Sequence, residues 1–156
     1  MKNTTLCYIE KDGRWLMLRR DRKENDENAG KWIGVGGKFE EGESPEDCVR
    51  REVREETGLV LTRQRLRGVV TFVSDECGTE YMFVFTADEW TGELCEECAE
   101  GTLAWVEKSR VPQLDLWEGD RIFLPYLLDG EGPFFSLKLC YRKDALCSAS
   151  LDGVPL

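Results

Sequence analysis

The 156-residue chain carries a formal net charge of −10 with no histidine, and it is 41% hydrophobic and 33% charged. That length suits one domain over residues 1–156, since single cores run about 100–150 residues, and the apolar share argues against intrinsic disorder. An acidic surface excludes the basic-patch mode of binding polymeric nucleic acid, and no stretch approaches the ~18 apolar residues of a membrane span. The first ten residues lack the basic-then-apolar order of a secretion signal, and the seven cysteines follow no disulfide framework. Reduced thiols, a cytoplasmic location and no membrane partner are the expectation.

Two strands open the chain, Thr4 to Ile9 and Trp15 to Arg19, with Asp12-Gly13 as the hairpin turn. The polar stretch from Asp21 to Lys31 has no apolar period and reads as a surface loop. From Ser44 to Thr57 every helix signal agrees: Ser44 can cap, Pro45 suits the first turn, Glu46 and Asp47 complement the dipole, and Gly58 closes the end. Val60 to Leu61, Gly68 to Ser74, Tyr81 to Ala87 and Leu103 to Val106 then read as strands. A helix is expected over Leu116 to Leu128, kinked or interrupted at Pro125. Phe134 to Tyr141 and Ala145 to Leu151 alternate as a terminal hairpin.

The segment GGKFEEGESPEDCVRREVREETGL, Gly36 to Leu59, joins a glycine turn to an acidic helix. At about 100° per residue, Glu52, Glu55 and Glu56 share an arc of about 100°. Three carboxylates so placed repel one another unless a cation sits among them. Arg51 can neutralise part of the cluster, and oxygen ligands in this number suit Mg²⁺, or Mn²⁺ as a substitute, over softer metals. Gly36 and Gly37 let the backbone approach such an ion and offer a carbonyl oxygen, with Gly36 the expected ligand.

Gly37, Glu43 after five intervening residues, and Arg51-Glu52-Val53-Arg54-Glu55-Glu56-Thr57-Gly58-Leu59 after seven more reproduce the Nudix box over 37–59. The chain thus resembles the Nudix hydrolases. The resemblance implies an α/β fold, a mixed β-sheet sandwiched between helices. It implies that Glu52, Glu55 and Glu56 hold Mg²⁺, that Arg51 orients them while pairing with Glu43, and that water attacks a bridging phosphorus. The general base in such enzymes is the residue matching Glu52 or a glutamate of a later loop. Glu100, preceding LAWV, is the later candidate and a further metal ligand, although Glu93, Glu96 and Glu97 crowd the same loop.

Beyond the box the chain is similar to MutT-like triphosphatases of oxidised purine nucleotides. Arg19-Arg20 matches a basic pair of bacterial members, which implies that Arg20 meets substrate phosphates; Lys38 is the second cation for phosphate binding and catalysis. LWEGDRIFLPYLL, Leu116 to Leu128, resembles the base-recognising segment of the vertebrate members, which implies a base stacked on Trp117 and read by Asp120. The chain departs from that pattern at Gly119, where those enzymes hold a second aspartate, and at Ile33, a base-site position where they hold asparagine, so one base contact is missing or supplied elsewhere. An ionised Asp120 accepts from the N1–H and N2–H₂ of guanine and finds no such donors on adenine. The implied activity is hydrolysis of 8-oxo-dGTP to the monophosphate and pyrophosphate.

Plainer readings stand beside these. Trp117 can be a packing aromatic, Asp120 a helix cap, Arg19 and Arg20 surface charges, and Trp32, Trp90 and Trp105 core or rim residues. Cys95-Glu-Glu-Cys98 lacks a second pair or a histidine to complete a zinc site. The alternative substrates are ADP-ribose, a dinucleoside polyphosphate or a nucleotide sugar, and a different class altogether is a non-catalytic nucleotide-sensing domain. The intact glutamates of the box argue against the last.

Overall fold

A computed structural model describes residues 1–21, 29–95 and 100–156. Strand β1 (Lys2–Lys11) turns through Asp12 and Gly13, both at positive φ, into β2 (Arg14–Arg19). The two strands pair only between Ile9–Leu16 and Lys11–Arg14, then part. Into the gap comes β3 (Trp32–Ile33), which takes the vacated edge of β2 opposite Leu18 and Arg19. The chain behind it continues along β1, bridging Val35 to Cys7 and Lys38 to Thr4. Two residues are too few to show a period, which is why β3 escapes a reading by alternation.

Helix α1 (Pro45–Thr57) begins as its sequence signals require. Ser44 Oγ accepts from the Asp47 N–H at 3.0 Å, the Asp47 carboxylate accepts from the Ser44 N–H at 3.0 Å, and Gly58 ends the helix at φ 81°. Cys48, Val49, Val53 and Thr57 form its buried side.

Strands β4 (Val60–Ser74) and β5 (Gly78–Thr91) make one long antiparallel pair. The two separate strands expected within β4 are therefore one. Its register shifts between Leu61 and Arg63, Arg63 and Gln64, and Leu66 and Gly68, and such bulges break the alternation by which a continuous strand is recognised. Strand β6 (Thr102–Glu107) covers the other edge of β2 and leads into a 3-10 helix, Lys108–Gln113. After helix α2 (Asp120–Leu128) the chain closes with β7 (Phe135–Arg142), β8 (Ala145–Leu151) and the short β9 (Val154–Pro155).

Among the described residues these strands form one mixed sheet, ordered β3-β2-β1-β5-β4-β7-β8-β9 with β6 beside β2. The β1–β5 and β4–β7 pairs are parallel. Alternation along β1 sends Leu6 and Tyr8 to one face with Phe123, Leu124 and Leu127 of α2, and Cys7 and Ile9 to the other with Val49 and Val53 of α1. The sheet therefore lies between the two helices, as the family resemblance implied.

Helix α2 starts four residues later than expected, at Asp120, because residues 116–119 are used in the turn that leads into it. Pro125 does not interrupt it. Phe123, Leu124 and Leu127 are buried on the sheet, and burying such side chains is worth roughly 1.5–3 kcal/mol each, more than one forfeited backbone hydrogen bond. The far end of α2 is held by Arg67, 4% exposed, which donates to the carbonyls of Tyr126 and Asp129 at 2.9 and 3.1 Å.

The capping box sets where α1 begins and hence where its glutamates lie. Ser44→Ala is expected to lower stability by about 1 kcal/mol, read as a fall in the urea midpoint at unchanged slope.

Candidate active site

Arg51 organises the acidic side of α1. Its Nε and Nη2 grip both carboxylate oxygens of Glu43, at 2.7 and 2.9 Å, and Nη2 also donates to the Lys38 carbonyl at 2.8 Å. Nη1 donates to Glu52 at 2.8 Å and to Glu55 at 3.2 Å. Glu43 is thereby held below the usual carboxylate range, by its hydrogen bonds from Arg51 and then from the Glu40 N–H. The Arg51 guanidinium is in turn pushed further toward its charged form, chiefly by Glu43.

The glycine turn fits beneath these carboxylates. A Cβ at Gly36 would lie 1.9 Å from the Thr5 carbonyl oxygen, and one at Gly37 would lie 2.6 Å from the Glu52 carboxyl carbon. Gly36 has no room for a side chain against this backbone, and a side chain at Gly37 would displace the Glu52 carboxylate. The Gly37 carbonyl is occupied by the Thr5 N–H at 2.9 Å and the Cys48 thiol at 3.7 Å. Cys48 is buried, and burial first of all raises its pKa, so it rests as a thiol.

Glu56 faces a different environment from Glu52 and Glu55. Its Oε2 is buried and has no hydrogen-bond partner among the described residues. Burial, followed by the negative charges of Glu52 and Glu100, pushes its pKa up to about 8, while Arg20 and the Gly36 N–H oppose the shift. Glu100 and Arg20 are themselves joined at 2.9 Å. The structure thus brings Arg20, Glu52, Glu56, Glu100 and the Gly36 backbone together across four chain segments.

Among the described residues no three carboxylate or thiol groups are preassembled as a metal cluster. Arg51 accounts for this on one side, drawing Glu52 and Glu55 to itself. The donor set nonetheless fits a hard divalent ion, because an orphaned buried carboxylate oxygen with two further carboxylates raising its pKa is the environment such an ion relieves.

At the opposite face of the sheet stand the residues expected to meet a base. Trp117 meets Tyr141 edge-on at 5.6 Å, and the Lys31 ammonium lies 5.4 Å from the Trp117 ring centroid while bonding Asp115 at 3.0 Å. Ile33 packs on the same cluster. Asp120 is 8% exposed, and burial pushes its carboxyl up to about 7 against the opposing charge of Arg121. It is the first residue of α2, whose cap position is Gly119, so the helix-cap reading of Asp120 is incorrect.

The two groups of residues are joined by a short path. From Ile33 to Gly37 the chain is largely extended against β1, and at ~3.3 Å per residue this spans roughly 13 Å, the scale of a nucleotide. Residues 2–127 match the NUDIX domain. The chain belongs to the Nudix family. It is 36% identical over 157 residues to the Nudix hydrolase YvcI of Bacillus subtilis, covering 92% of this chain and 95% of that protein. It is 32% identical to the oxidized purine nucleoside triphosphate hydrolase of Danio rerio, covering 81% of this chain and 80% of the relative. Among solved structures, the MutT protein of Bacillus halodurans superposes with a TM-score of 0.87 at 30% identity, covering 99% of this chain and all (100%) of that one.

In this Nudix hydrolase, Glu96, Glu97 and Cys98 lie outside the described residues, as do residues 22–28 of the loop expected between Asp21 and Lys31. Trp90 and Trp105 stack at 5.9 Å beside the α1 core, in keeping with the packing role expected for them. Lys31, Asp115, Thr5 and Tyr141 went unmarked in the sequence, because each meets the site only through partners distant along the chain. No helix among the described residues is long and apolar enough to cross a membrane.

Glu56 gives the metal-free protein a pH dependence of definite sign. Its folded pKa of about 8 stands above the ordinary 4.5, so the folded chain keeps a proton that the unfolded chain has lost, and stability falls as pH rises between those values. In the presence of a chelator, Glu56→Gln is expected to raise Tm relative to wild type at pH 8 more than at pH 5. The same offset at both pH values contradicts the assignment.

Proposed function

We propose that this Nudix hydrolase is a cytoplasmic, Mg²⁺-dependent pyrophosphohydrolase of purine nucleoside triphosphates, with 8-oxo-dGTP its preferred substrate and the monophosphate and pyrophosphate its products. The reading is carried by one observation: the buried carboxyl of Asp120 stands near Trp117, on the α2 face of the sheet whose other face carries the glutamates of α1. An aromatic surface beside a buried carboxylate suits a base that presents N–H donors. The name of the Danio rerio relative, an oxidized purine nucleoside triphosphate hydrolase, supports the same class.

Glu52, Glu56 and Glu100, with Glu55 and the Gly36 carbonyl beside them, would hold the metal. Mg²⁺ bound there would neutralise phosphate charge and lower the pKa of a water nucleophile. The chain's own contribution is positioning. Arg51 holds Glu52 and Glu55 on one side, Arg20 holds Glu100 on the other, and Lys38 lies in the turn between Gly37 and Glu43. Arg20 and Lys38 supply positive charge to the phosphate chain. Glu52, tight against Gly37, and Glu100 are the two candidates for accepting the water proton. The nearby Cys48 is a buried thiol, which favours attack by water over a covalent intermediate.

Turnover of 8-oxo-dGTP, dGTP, oxidised dATP, dATP and ADP-ribose with Mg²⁺ tests the assignment, with pyrophosphate release followed separately from phosphate. The highest kcat/KM is expected for 8-oxo-dGTP, with pyrophosphate as product. Glu55→Gln is expected to lower kcat by about 100-fold or more without unfolding the protein. Faster turnover of ADP-ribose than of any triphosphate rejects this substrate class, and equal turnover of the two oxidised nucleotides rejects the role of Asp120.

A further inference from the structure

The family resemblance implies a second aspartate at the position of Gly119, and the structure shows that this position is filled by its neighbours. A Cβ at Gly119 would lie 2.8 Å from the Tyr141 hydroxyl and 2.5 Å from a Leu139 methyl carbon. Tyr141 occupies the space a side chain would need. Its hydroxyl accepts a hydrogen bond from the Gly119 N–H at 2.7 Å, and its ring is fixed between Phe72, stacked at 4.8 Å, and Trp117, edge-on at 5.6 Å.

A phenol that accepts one hydrogen bond still has its own O–H to donate. Among the described residues no acceptor takes the Tyr141 proton, and none of their donors reaches the Asp120 carboxyl. Tyr141 is only 4% exposed, so bulk water is a poor substitute. An unused donor and an unused acceptor thus flank the first turn of α2, beside the Trp117 ring. Such a donor and acceptor left unpaired by the protein are open to a ligand of matching pattern. On a guanine-type base the N1–H and N2–H₂ that Asp120 can accept adjoin the 6-oxo oxygen, which needs a donor. An adenine-type base presents an amino donor there and would set donor against donor.

We propose that Tyr141 is a specificity-determining residue of this site, donating its O–H to the 6-oxo group of the purine whose neighbouring N–H edge is read by Asp120. The proposal rests on the nucleotide reading above. It supplies the contact absent at Ile33 and Gly119, and it selects 6-oxopurines irrespective of oxidation at position 8. Tyr8, the other phenol whose pKa the Asp120 charge raises, has no hydrogen bond among the described residues to fix its hydroxyl. The Tyr141 hydroxyl is fixed by Gly119.

Tyr141→Phe removes the hydroxyl and keeps the ring. The expected result is a fall of about tenfold in kcat/KM for dGTP with dATP little changed, so that the dGTP to dATP ratio drops by the same factor. The wild-type protein provides an independent measurement: 6-thio-dGTP keeps N1–H and N2–H₂ but replaces the oxygen by a poor acceptor, and it should be turned over about tenfold less efficiently than dGTP. That preference should vanish in Tyr141→Phe. A merely structural role lowers both purines together and leaves the ratio and the sulfur effect intact, which overturns the proposal, as does finding the whole effect in Tyr8→Phe instead. Wild-type protein that hydrolyses no purine triphosphate defeats the proposed function itself, whereas turnover with an unaltered ratio defeats only the role of Tyr141.

Discussion

The site depends on one guanidinium. Arg51 joins Glu43, the Lys38 carbonyl, Glu52 and Glu55, and so ties the glycine turn, the loop before α1 and the exposed side of α1 to one another. Its fork grips Glu43 by two oxygens in a geometry that a lysine ammonium cannot reproduce. The like charges of α1 would otherwise repel at close helical spacing. With Arg51 among them, an acidic surface on an acidic protein becomes a defined shape, and the Glu52 carboxylate is held close against Gly37.

That arrangement is possible because β1 and β2 part company after three paired positions. The chain segment entering the gap pairs with β2 through Trp32 and Ile33, then with β1 through Val35 and Lys38. Cys7 and Val35 exchange both backbone hydrogen bonds, at 2.7 and 2.9 Å, so the path of the glycine turn is set by sheet pairing and not by a free loop. One end of this segment meets the α2 side through the Trp32 N–H and the Asp115 carbonyl, 2.9 Å apart, and the other lies under α1. It is the physical link between the two halves of the proposed nucleotide site.

What could be read from the sequence was what is local. Helix α1 was legible to the residue because Ser44, Pro45, Asp47 and Gly58 act within one turn of its ends. The glutamates and Arg51 followed from helical spacing and from the family resemblance. The start of α2 is hidden in the sequence because Leu116 is apolar and runs into the helical pattern, yet belongs to the turn before Asp120. The pairing of Arg20 with Glu100, and the hydrogen bond from Gly119 to Tyr141, join residues whose proximity depends on strand order. Neither leaves a periodic trace, and only the fold could reveal them.

Two buried carboxyl groups divide the molecule's chemistry. Both Glu56 and Asp120 are pushed toward neutrality by burial, but their neighbours differ. Glu56 has two further carboxylates raising its pKa, and Arg20 only partly offsets them, so hydrogen-bond donors of ordinary strength would leave that repulsion standing; a multivalent cation removes it. For Asp120, the charge of Arg121 opposes burial, and the Asp120 charge falls on the phenols of Tyr8 and Tyr141. Its deficit is one of hydrogen bonds, which a planar base with two adjacent N–H groups can meet without added charge. The same desolvation thus underlies both the ion site proposed under α1 and the base site proposed at α2, and a substrate that met both would carry polyanionic and heteroaromatic ends a nucleotide's length apart.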